Sequence, residues 1–154
     1  MTQIALQDQY APHSSCFGCG PENKKGLNIK SIIQEDKCVC NWTAEPHHEA
    51  FPGILNGGII ASLLDCHANW TAAYFLMKKD NKQEPDCTVT ADFSITYLAP
   101  TPTKQNITLI AWVDFMKNTS AIIKAELYSQ EKCCAKATGT FVAVKPGHPA
   151  YNRW

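Results

Sequence analysis

Neither sign of charge prevails in this chain: fourteen Lys and Arg offset fourteen Asp and Glu across 154 residues. Without a net positive field there is no bulk attraction toward nucleic acid or an anionic membrane, so neither is expected as a partner. Also missing is a basic stretch leading into a short apolar run near the start, the mark of a secretory leader, which makes the cytoplasm the expected compartment. No uncharged apolar run reaches membrane length. The nearest, residues 57–77, carries Asp65, His67 and Asn69 at its centre, where a lipid-facing helix would be heavily penalised. Internal repeats and linker compositions are absent too. One domain over residues 1–154 is therefore expected, with its core at about 16–145 and a loose tail at 146–154.

Cysteine, by contrast, is plentiful. Eight residues stand at positions 16, 19, 38, 40, 66, 87, 133 and 134. A shorter secreted chain would use them as a disulfide framework, but a chain of this length can bury roughly 70% of its unfolded surface and build its own core. Reduced thiols are expected, with Cys38 and Cys40 on one face of a strand. Four Asn-X-Ser/Thr sequons, at Asn41, Asn69, Asn106 and Asn118, fall in or beside regular elements and are not read as glycan sites.

The hydrophobic pattern gives the element order. Residues 1–15 hold at most a short helical turn, and 16–27 form a glycine-punctuated loop. Strands are expected over 27–33 and 38–43, then a loop over 44–56. A helix over 57–77 follows, apolar around most of its circumference. Past a charged loop, period-two alternation marks a strand from about 88 to 97, stopped by Pro100 and Pro102. Three more strands, 107–116, 121–129 and 133–144, are joined by turns short enough for hairpins. A lone helix apolar on every face needs a sheet curled round it, so the layout is α+β, an antiparallel sheet wrapped over one long helix. Tyr97 and Trp112 are read as core.

Two features carry chemistry. Asp65 is the one acid or base other than His67 in the apolar helix, and a buried carboxylate is either paired or useful. Asn56-Gly57-Gly58 enters the same helix, where glycines admit a ligand and the first N–H groups can hold an oxyanion. Eight residues along a helix span about 12 Å, whereas a carbonyl carbon and its oxygen are only about 1.2 Å apart. One helix does not bring both groups to one carbonyl; two antiparallel copies across a dimer axis would.

Three stretches occur in order: Cys16-Phe-Gly-Cys-Gly-Pro-Glu-Asn-Lys-Lys-Gly-Leu27, Gly53-Ile-Leu-Asn-Gly-Gly-Ile-Ile-Ala-Ser-Leu-Leu-Asp65 and Thr90-Ala-Asp-Phe-Ser-Ile-Thr-Tyr-Leu-Ala-Pro100. Together they resemble the hotdog-fold acyl-CoA thioesterases of the phenylacetate-degradation (PaaI-like) and mammalian mitochondrial groups, over about residues 16–144. The resemblance implies a hotdog fold and hydrolysis of an acyl-CoA to free acid and coenzyme A, with no cofactor beyond the coenzyme A of the substrate. It implies a homodimer or a dimer of dimers. Asp65 would be general base or nucleophile, the Gly57 N–H would polarise the carbonyl, and Thr90 would hold the water or the carboxylate. Asn56 stands where the family carries His, and Lys117-Asn118-Thr119 stands where many relatives carry a Gly-Arg or Gly-Lys turn near the coenzyme A phosphates. Gly58, His67, Trp70, Lys117 and Asn118 complete the expected substrate contacts, and Trp70 or Tyr74 would line the acyl pocket. A non-catalytic acyl-thioester binding module is the alternative. A third reading, a zinc-stabilised interaction domain, would pair Cys16 and Cys19 with His13, His47 or His48, but the spacing lacks a zinc pattern and no metal is expected.

Overall fold

Asn56 starts the long helix by turning its side-chain oxygen onto the N–H groups of Gly58 and Ile59, at 2.7 and 3.2 Å. In the computed structural model, which describes residues 2–154, this helix is the second of two. In chain order the elements are α1 (Leu6–Tyr10), β1 (Ile32–Gln34), β2 (Lys37–Trp42), β3 (Glu49–Phe51), β4 (Ile54–Leu55), α2 (Gly57–Lys79), β5 (Thr88–Tyr97), β6 (Ile107–Lys117), β7 (Ser120–Ser129) and β8 (Lys132–Ala143). A single 3-10 turn, Pro46–His48, precedes β3. Helix α2 runs two residues beyond the expected end, and Lys78 and Lys79 in its last turn suit the negative pole of the helix dipole. No helix among the described residues is long and apolar enough to cross a membrane.

Six strands form one antiparallel sheet in the order β1-β2-β6-β7-β8-β5. The hotdog layout expected of the sequence is the one found. The hairpin turns are as short as expected, since Lys117 pairs with Ser120 and Ser129 with Lys132. One face of the sheet is lined by Leu109, Ala111, Ile123, Ala125, Leu127 and Phe141, all buried. Alanines at 68, 72 and 73 let α2 lie close against it, and Cys38 and Cys40 share that buried face of β2. The hydrophobic effect on this interlayer contact is the main force holding the domain.

Two expectations need correction. The strand expected over 27–33 is reduced to its end, β1. Asn28 takes a left-handed φ of 53°, and the N–H groups of Leu27 and Ile29 bond to Phe17 and Gly18 carbonyls instead of to a strand. The tail is not loose along its whole length: residues 145–149 and 151–153 are exposed, yet Arg153 donates to the Thr88 carbonyl at 2.6 Å and Trp154 stacks on Trp70 at 4.2 Å between ring centroids.

Candidate functional site

Asp65 and Asn69 lie four residues apart on α2, about 6 Å along the axis. Thr88 and Thr90 lie two apart on β5, about 6.6 Å along the strand. The two spacings match, and two hydrogen bonds result. Thr90 Oγ1 donates to Asp65 Oδ1 at 2.7 Å, and Thr88 Oγ1 donates to Asn69 Oδ1 at 2.6 Å. Strand β5 is one of the two outer strands of the sheet, with β8 as its one strand partner among the described residues. Its register slips at a bulge beside Thr90, a feature that re-aims side chains next to working sites.

A cavity of about 180 Å³ opens at this point, lined among others by Asp65, Thr90, Trp70, Arg153 and Trp154. Burial pushes the Asp65 carboxyl above the usual carboxylate range, while the Thr90 hydroxyl and the Arg153 guanidinium pull it back. A half-buried carboxylate with a fixed donor on one oxygen and a free second oxygen is suited to accept a proton from water. A larger concavity, about 670 Å³, lies elsewhere, between Lys24, Lys25, Trp42 and His47. It contains none of the Asp65 group.

At the start of α2 the Asn56 side chain occupies the N–H groups of Gly58 and Ile59, and the Asn56 carbonyl accepts from Ile60. The Gly57 N–H donates to no described residue. The Gly57 carbonyl is anchored by the Tyr97 hydroxyl at 2.8 Å. Asn56 is thus a helix cap, and the Gly57 N–H is left unengaged by any described residue. Tyr97, read as core from the sequence, is instead 51% exposed at the end of β5, because its hydroxyl reaches outward to this helix end. Gly57 and Asp65 stay eight residues apart on one helix, so a single chain does not join them.

Other expected site residues lie elsewhere. His67 is a correction: it is fully buried on the sheet-facing side of α2, with Nε2 donating to the Cys38 carbonyl at 2.9 Å and Nδ1 accepting from Ser31 Oγ at 2.8 Å. Burial pushes its pKa down to about 4, and with both nitrogens engaged it offers nothing to a substrate. Lys117 and Asn118 are exposed in the β6–β7 turn, Asn118 supplying its left-handed φ of 48°, and neither lines the Asp65 cavity. Trp70 does line it, with its indole N–H donating to Cys19 Sγ at 3.3 Å.

The histidines that the zinc reading would pair with Cys16 and Cys19 are engaged otherwise. His13 pairs with Glu22 at 2.9 Å, and His48 Nδ1 accepts from the Glu45 N–H at 3.0 Å. What joins the two loop cysteines is Cys66 of α2, which the sequence reading treated as a helix residue only. Hydrogen bonds from Cys19 and Cys66 hold the half-buried Cys16 thiol well below its usual range. The hydrogen bond to Cys16 pushes Cys19 up to about 11, against a lowering bond to Cys66, and the bonds to Cys16 and Cys19 push Cys66 well above its ordinary value. Arg153 and Trp154 were missed as well; a terminal aromatic gives no periodicity to read.

A family model of the thioesterase superfamily matches residues 52–135, more than half of the chain. Among solved structures, a thioesterase superfamily protein from Shewanella loihica is 27% identical, with a TM-score of 0.64 over 76% of this chain and 91% of that one. Zebra fish thioesterase superfamily member 2 is 22% identical, with a TM-score of 0.63 over 79% of this chain and 89% of that one. A phenylacetic acid degradation-related protein from Ralstonia eutropha is 15% identical, with a TM-score of 0.63 over 75% and 85%. The last two likenesses speak to the fold alone. No curated protein matches the chain.

Proposed function

Because the chain belongs to the thioesterase superfamily, we propose that it hydrolyses an acyl-CoA thioester to the free acid and coenzyme A, in sites shared between two copies of the chain. The observation that carries this reading is the half-buried Asp65 carboxylate, held by Thr90 beside a cavity at an outer strand of the sheet. A water oxygen attacks the thioester carbonyl carbon and passes its proton to Asp65. Negative charge gathers on the carbonyl oxygen and is met by the Gly57 N–H of the other copy. Collapse breaks the carbon–sulfur bond, and the coenzyme A thiolate leaves and takes up a proton. Attack by Asp65 itself, through a mixed anhydride, would need the same negative charge.

Two antiparallel copies of α2 give the meeting of Gly57 and Asp65 that one copy lacks. The outer edge of β5, ten residues long, is the natural place for a second sheet to join. Trp70 would face the acyl chain and Lys117 the coenzyme A phosphates, the arrangement implied by the PaaI-like resemblance.

One observation favours a second reading, an acyl-thioester binding module without turnover. The cavity of about 180 Å³ is below the roughly 300–1,000 Å³ of most small-molecule sites, and Arg153 and Trp154 sit in it. The test follows thioester absorbance with a panel of short, long and aromatic acyl-CoAs, for the native chain and for Asp65→Asn. We expect hydrolysis of at least one substrate, and a fall of about 10²-fold or more in Asp65→Asn with little change in melting temperature. Saturable binding without hydrolysis would select the binding module. A rate that survives in Asp65→Asn would make Asp65 part of the scaffold.

A further inference from the structure

Cys16 and Cys19 close a four-residue loop, and Cys66 comes from the middle of α2, yet the three Sγ atoms all lie within 4.8 Å of one another. The Cys16 and Cys66 sulfurs are 3.8 Å apart. This closeness is built in by the loop. A Cβ on Gly18 would stand 2.3 Å from Cys66 Sγ, and one on Gly20 would stand 2.3 Å from the Cys16 backbone nitrogen. Both positions must be glycine for the loop to lie on the helix as it does. The Trp70 indole N–H, donating to Cys19 Sγ at 3.3 Å, supplies the kind of donor that stabilises sulfur-centred negative charge.

A disulfide needs its sulfurs at about 2.05 Å and serves only two of them. A tetrahedral ion with metal–sulfur bonds of about 2.3 Å places its ligand sulfurs about 3.8 Å apart, the separation found. Simple thiol contact also allows that distance, so the third sulfur decides. Three convergent thiols from two distant parts of the chain, fixed by obligatory glycines, make a soft ligand set of the kind that selects zinc-like ions over magnesium or calcium. We propose that Cys16, Cys19 and Cys66 form a binding site for a zinc-class divalent cation. Binding releases the thiol protons to solvent. Three thiolates on a divalent ion leave one net negative charge, and the Arg153 guanidinium lines the same cavity as all three cysteines. Among the described residues no histidine nitrogen or carboxylate oxygen completes the cluster, so the fourth position falls to water or to a small ligand entering that cavity. The site would tie the 16–20 loop to the centre of α2, and it does not depend on the thioester reading.

Cobalt(II) reports such a site directly. The full-length chain, reduced and stripped of metal, would be titrated with Co2+ under anaerobic conditions. We expect a thiolate-to-cobalt charge-transfer band and intense visible bands of tetrahedral cobalt, saturating at one equivalent per chain and bleached by Zn2+. Cys66→Ser should lose the band at one equivalent, and so should Cys16→Ser, whose half-exposed position makes misfolding less of a concern. Cys133→Ser, outside the cluster, should keep it. A native chain that gives no saturable band, or a band that persists in both cluster variants, would overturn the proposal. Hydrolysis is not part of this readout, so its failure and that of the thioesterase reading are told apart.

Discussion

The Asn56 side chain holds two of the four N–H groups that begin α2 and leaves the Gly57 N–H unengaged. Its task is therefore to cap, and a cap has a known scale. Asn56→Ala should cost about 1 kcal/mol, a fall of about 2–4 °C in melting temperature for a chain of this size. Asn56→Ser should keep most of both stability and turnover, because a hydroxyl caps as well. Calorimetry and the hydrolysis assay on the two variants check this; a collapse of turnover in Asn56→Ser at normal stability would give the amide a direct role. His67 illustrates the same logic from the other side. It closes a buried chain in which Gln7 Nε2 donates to Ser31 Oγ at 2.9 Å, Ser31 to His67, and His67 to the Cys38 carbonyl. A histidine one helical turn past Leu63 and Leu64 looks the same in sequence whether it meets a substrate or a serine. Only the position of Ser31, brought in by the segment that leads to β1, decides.

At the scale of elements, the loop over 14–20 is tightly packed. A Cβ at Gly20 would meet the Ser14 carbonyl oxygen at 2.5 Å as well as the Cys16 nitrogen. Backbone atoms do not swing aside as side chains do, so Gly20→Ala should lose about 1–3 kcal/mol. Denaturant unfolding measures it, and an unchanged midpoint would mean that the loop repacks freely. Helix α2 was legible as one long, mostly apolar run between a glycine start and a lysine end, and the β6–β7–β8 meander because its burial alternates every second residue. The segment over 27–31 was not. Its Leu27, Ile29 and Ser31 alternate like a strand and are buried like one, but its backbone bonds to the cysteine loop, a pairing that no local pattern records. Of the candidate site, Asp65, Thr90 and Gly57 were singled out through motif and resemblance. Cys66 was not, because the third sulfur lies 47 residues from Cys19 and becomes a neighbour only when the loop folds across the helix.

At the scale of the whole molecule, the separation of about 12 Å between Gly57 and Asp65 along one helix and the outer position of β5 point the same way. Phe51, Tyr97 and Leu98 leave 59%, 51% and 49% of their surface exposed in the single chain. Light scattering at micromolar concentration should report at least twice the 17.1 kDa chain mass, and the melting temperature should fall on dilution, as it does for any folded unit stabilised by its partner. Full activity in a monomer would remove the shared site. Under the proposed reading, the ten residues of β5 would answer two demands at once. They hold Asp65 and Asn69 through Thr90 and Thr88, and they would also offer the edge at which two copies meet. A substitution that loosened that edge would then disturb the carboxylate, and one that freed the carboxylate would disturb the edge.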